Sequence, residues 1–155
     1  MRAITRVALV RRLLTLEAAE SQDQESVIGA TERVSDKLRA HLSKRIGQEG
    51  FRTLLSRALA LTTAQFPHLR TVRVAEDGSL VGLRRAAVAT QETRDDVSQQ
   101  DTVEGVVALV AHLLGLLFTF IGEDLTLRIL STVVPALALP ELASGDATGW
   151  ENERP

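Results

Sequence analysis

The sequence predicts a mostly α fold: a compact bundle of about five helices with one small β-hairpin at about residues 69–85. Three observations carry that prediction. Apolar residues recur at three- and four-residue steps through most of the 155 positions, the spacing of amphipathic helices. Leu and Ala dominate while aromatics are few (four Phe, one Trp, no Tyr), which favours helices packed through aliphatic contacts over a sandwich or barrel. One stretch alone alternates with period two, and it holds Asp77-Gly78, the favoured pair for a tight hairpin turn. A chain of this length is expected to form a single domain, here 1–139, followed by a flexible C-terminal tail at 140–155.

The first helix is expected at 3–19, where Ile4, Val7, Val10 and Leu14 share a face. Its apolar run is broken by Arg11-Arg12 after four residues, so the segment reads as an amphipathic helix of the fold and not as a secretory signal. A second helix is expected at 25–46 from Val27, Val34, Leu38, Leu42 and Ile46. A third, at 48–66, follows from Phe51, Leu54, Leu55, Ala58, Leu59 and Thr62. The fourth, at 102–121, is opened by Asp101-Thr-Val-Glu104, which has capping-box spacing. A fifth, at 124–134, carries Leu125, Ile129, Leu130 and Val133 until Pro135 ends regular helix.

Two junctions have the same grammar. Ile46-Gly47-Gln48-Glu49 and Ile121-Gly122-Glu123-Asp124 each end a helix on Ile, offer Gly for the left-handed C′ conformation, and open the next helix with amide or acidic residues. A reused helix–helix corner explains both; an ancient duplication is the sharper alternative.

The run Gly105–Gly122 is apolar except for His112 and Thr119, and at about 27 Å it is long enough to cross a hydrocarbon core. A histidine at mid-run, diluting glycines and acidic flanks instead point to a helix surrounded by other helices, with no membrane span. In the hairpin, a two-residue type I′ turn at Asp77-Gly78 would pair Val74 with Val81 and Val72 with Leu83. Such a ribbon must lie on the helices or join its edge to a second copy. Residues 89–100 read as a polar loop, and Trp150 is the odd aromatic of the tail.

Charge is segregated. Residues 1–16 carry four bases and no acid, 17–32 five acids and no base, 33–73 nine bases and two acids, and 74–155 five bases and thirteen acids. Such blocks can complement one another within a fold or between copies.

Chemistry-bearing motifs are scarce. The chain has no cysteine, so disulfides, thiolate metal sites and thiol nucleophiles are excluded. His41, His68 and His112 lack a second ligand at helical spacing, and neither a metal nor a cofactor is expected. His41 reads as solvated, and His68 as capping a helix-end carbonyl. His112, Glu123, Asp124 and Arg128 form the one candidate polar site, with Asp124 and Arg128 spaced to pair on their helix. No GxSxG, P-loop, GxGxxG or HExxH motif occurs.

The function expected on these grounds is a non-enzymatic protein–protein interaction or regulatory module, a homodimer or adaptor in the cytoplasm. Its partner-binding residues would be Arg33, Lys37, Lys44, Arg52, Val72, Arg73 and Val74. Two alternatives stand beside it. One is a nucleic-acid-binding regulator using the basic helices of residues 33–57. The other is a small enzyme with its site at His112 or Glu123/Asp124.

Overall fold

The computed structural model describes residues 6–19, 24–86 and 99–137. Five helices pack together beside a two-stranded antiparallel hairpin. α1 spans Arg6–Glu17. A single helical run, Gln24–Gln65, breaks at Gly47 into α2 (24–46) and α3 (48–65). α4 is Gln99–Ile121 and α5 Glu123–Val133, with short 3-10 turns at Pro67–Leu69 and Pro135–Leu137. Ile4, most of the loop expected at 89–100, and the tail with Trp150 lie outside the described residues.

α4 is the hub, touching α1, the α2–α3 run, α5 and the Pro67–Leu69 turn. The core is aliphatic: Val10, Leu13 and Leu14 of α1, Leu38 and Leu42 of α2, Leu55 of α3, Leu114 and Leu117 of α4 and Leu130 of α5 are all buried. Phe51 is the largest fully buried side chain. Two buried hydroxyls are satisfied within their own helices, Thr31 Oγ1 donating to the Val27 carbonyl (2.9 Å) and Thr62 Oγ1 to that of Ala58 (2.8 Å), whereas Ser35 Oγ and Thr102 Oγ1 are buried without a partner among the described residues. At Gly105 the absence of a side chain lets α4 settle onto the Pro67–Leu69 turn, where a Cβ would stand 2.7 Å from Leu69 Cδ1.

Three local expectations are corrected. α4 starts at Gln99, so Asp101 lies inside the helix instead of capping it, and Glu104 accepts an ion pair from Arg11 of α1. The corner glycines have positive φ, but their ψ is extended: Gly47 at 82°, 160° and Gly122 at 96°, 152°. That is not the left-handed helical well expected at C′, where ψ is near +47°. It is a region that only glycine occupies at low cost.

The hairpin register also differs. The strands are Arg73–Val74 and Leu80–Val81, pairing Arg73 with Val81 and Val74 with Leu80. The loop has three residues, not two. The Ala75 amide donates to the Ser79 carbonyl (2.8 Å) and the Gly78 amide to the Ala75 carbonyl (2.9 Å), with Gly78 at φ 90°. This is a turn followed by a glycine bulge, and the extra residue shifts every partner by one. Val72 and Leu80 therefore face the helices, and Arg73 and Val81 face out. The tip is tied down as well: Arg39 Nη1 donates to the Asp77 carbonyl (3.0 Å) and Gln48 Nε2 to that of Glu76 (3.2 Å).

Candidate functional site

Much of the basic block is neutralised by the fold itself. Glu17, whose side chain is only 11% exposed, accepts from Arg33 Nε at 2.9 Å and Lys37 Nζ at 3.2 Å. Arg33 also donates to the Glu17 carbonyl at 3.0 Å, so the end of α1 is tied to α2. Arg52 stands 3.9 Å from Glu49, one turn away on α3. Of the expected hairpin residues, Val72 is 3% exposed and belongs to the core, Val74 is half-buried, and Arg73 is exposed.

Lys44 has a different setting. It joins His41 and Arg45 on α2, one turn apart, opposite Leu125, Arg128, Ile129 and Thr132 on α5. The two helix faces enclose a groove of about 580 Å³. Among the described residues, two guanidinium groups, an ammonium group and an imidazole line it, and no carboxylate does. Among the described residues Lys44, Arg45 and Arg128 make no ion pair, so the Asp124–Arg128 pair expected from their spacing does not form. Ile129 is buried and Leu125 half-buried, giving the groove an apolar wall, and Thr132 Oγ1 donates to the Arg128 carbonyl at 3.1 Å.

The residues expected to form a polar core do not converge. His112 is half-buried, its Nε2 3.2 Å from Oε1 of Gln65 on α3. Nine residues of α4, about 13 Å of helix, separate it from Ile121 and the corner. Glu123 and Asp124 are exposed in the first turn of α5, where their charge complements the helix N-terminus. His68 packs edge-on to Phe66, at 6.1 Å between ring centroids, and its Nε2 is buried with no partner among the described residues, so no carbonyl is capped by that nitrogen. No group of three or more His, Asp or Glu that could hold a metal occurs among the described residues.

A second surface is apolar. Thr102–Ile121 has a mean hydropathy of 2.1 and is long and apolar enough to cross a membrane, yet half of it is buried inside the protein. The other half is not enclosed as the sequence had suggested. Phe120 is 64% exposed, and Leu116 and Phe118 are half-buried. The flanking helices also carry exposed apolar residues. Leu61 of α3 is 41% exposed, and Val7 of α1, beside the Arg6 guanidinium that lies over Gly115, is 44% exposed.

Arg45 and Thr132 escaped sequence reasoning, and His41 reads from the sequence only as solvated. The signal was the i, i+3, i+4 spacing of polar residues on each helix, but the sequence does not say which helix faces meet. No protein-family model matches the chain, and no curated protein or solved structure is detectably similar to it.

Proposed function

We propose that this protein is a non-enzymatic interaction module that works as a homodimer, with α4 at the centre of its interface. One observation carries the reading: the most apolar helix of the fold is only half buried, and Phe120 stands largely in solvent at its open side. Taken with Leu61 and Val7, exposed on the flanking helices, Phe120 is read as part of one apolar interaction surface. The sequence expectation of a hairpin-edge interface has less support, because strands of two residues offer few edge groups and the tip is anchored to α2 and α3.

A second copy is the occupant favoured by shape and charge. Ala108, His112, Gly115 and Thr119 recur at helical spacing along one side of α4, with the Arg6 guanidinium over Gly115. An antiparallel crossing of two α4 helices over this side makes an isologous contact, each Phe120 meeting its partner's α4 near His112. Arg11 is level with Glu104 near the start of α4, while Glu123 and Asp124 follow its end. The twofold thus brings the Arg11–Arg12 end of one copy toward the exposed acids of the other.

The test is sedimentation equilibrium on the full chain and on Phe120→Glu. Wild type is expected to dimerise, burying over about 1,000 Å² in total, and the variant to remain monomeric with an unchanged melting curve. A wild type monomeric at high concentration refutes the reading. So does co-sedimentation with phosphatidylcholine vesicles that Phe120→Glu abolishes, which would assign the surface to lipid.

A further inference from the structure

The α2–α5 groove is a second site, independent of whether the chain self-associates. We propose that it binds a small organic phosphate, its cations holding the phosphate groups and its apolar wall the carbon skeleton. Three features lead there. First, the groove gathers cations that have no carboxylate partner among the described residues. Arg33, Lys37 and Arg39, further toward the start of α2, all have carboxylate partners, whereas Lys44, Arg45 and Arg128 share a concavity without one. Converging like charges repel, and a bound anion relieves that repulsion; in a concave site their fields also add.

Second, the charge is too large for a single carboxylate. Three cations, with the His41 imidazole as a further donor, match a group carrying two or more negative charges and several acceptor oxygens. From the α2 wall Arg45 offers a forked donor and Lys44 a point charge, and from the α5 wall Arg128 offers a second fork. Third, the volume of about 580 Å³ is that of a small-molecule pocket, and Leu125 and Ile129 give it an apolar side. A polymer tracking a basic surface requires no such wall.

Calorimetric titration of the full chain with inorganic pyrophosphate at constant ionic strength tests this. Saturable one-to-one binding is expected, weakened about tenfold or more by Arg128→Ala and by Lys44→Ala. Arg73→Ala, which removes an exposed cation on the hairpin outside the groove, should leave it unchanged. All three side chains are exposed, and matching melting curves will confirm that each variant is folded. Vesicles of phosphatidylcholine doped with phosphatidic acid form the second arm. Binding there that Arg128→Ala abolishes assigns the same phosphate chemistry to a lipid headgroup. The proposal is overturned if neither probe binds, or if binding responds to Arg73→Ala as strongly as to the groove variants.

Discussion

The two corners allow backbone strain to be measured with little interference from packing. Gly47 and Gly122 share nearly the same conformation, with φ of 82° and 96° and ψ of 160° and 152°. A Cβ built at either position would meet nothing within 4 Å. Replacement by alanine therefore tests only whether an L-residue tolerates that backbone. Holding a non-glycine residue there costs about 1–3 kcal/mol. Against it stands a gain of about 0.4–1 kcal/mol, because alanine has fewer unfolded conformations to lose. The net expectation is a loss of about 1–2 kcal/mol at each corner, or a fall in Tm of about 2–8 °C. Gly50→Ala is the internal reference. Its backbone is helical, so alanine adds about 1 kcal/mol of helix propensity, set against a contact of 3.3 Å with Ile46 Cβ. Urea unfolding followed by far-UV circular dichroism gives all three values. The reasoning fails if Gly47→Ala and Gly122→Ala unfold at the same midpoint as Gly50→Ala, or if the two corner variants differ from each other by more than about 1.5 kcal/mol.

Two further effects follow from the same contacts. Glu17→Ala removes the carboxylate that holds Arg33 and Lys37 and should cost about 0.5–1.5 kcal/mol, since both cations are half in solvent. Urea midpoints in low and high salt check this, and the cost should shrink as salt screens the pairs. Asp77 is held below its ordinary carboxylate value, first by the Ser79 hydroxyl (2.7 Å), then by the Ser79 amide (3.0 Å), with Arg39 adding to the effect. Its folded state binds a proton less readily than its unfolded state. The stability it contributes is thus complete above the ordinary carboxylate range and lost as pH falls through its lowered value. Tm measured against pH should decline less steeply in acid for Asp77→Asn than for wild type.

The helices were legible because burial imposes a 3.6-residue period on residues such as Leu38, Leu42, Leu55 and Leu130, and because Ile-Gly followed by amide or acidic residues marks both corners. The hairpin register was not. Leu80 and Val81 are both apolar, so alternation alone could not say which faces the core, and Asp77-Gly78 suits the last two places of a three-residue loop as well as a two-residue turn. The start of α4 was misplaced because Glu104, read as a capping side chain, serves Arg11 of another helix, a contact between residues far apart in sequence. Its burial was overstated for a related reason. Hydropathy records how apolar a helix is, whereas enclosure depends on how many neighbours reach it. The groove was half visible: Lys44 and Arg128 were each noticed, but only packing of α2 on α5 makes them one site.

The segregated charge of the sequence has a structural counterpart. Glu17 from the acidic second block meets Arg33 and Lys37 from the basic third. Glu25 and Glu32 meet Arg84, and Glu104 receives Arg11 from the basic first block. Blocks that are unbalanced along the chain thus neutralise one another across helix boundaries, and the basic excess is drawn down where α1 and the hairpin pass over α2. Toward the end of α2 the neighbour is α5, whose groove-lining side presents Arg128 and no acid, so Lys44 and Arg45 have no acid partner among the described residues. The same logic weakens a DNA-reading role for residues 33–57. Its first cations are already paired, and the exposed face of α3 carries Thr53, Ser56, Ala60, Leu61 and Ala64, with Arg57 the one unpaired long donor before Gln65. What remains open is an apolar face on α4 and an electropositive groove between α2 and α5. They have no residue in common.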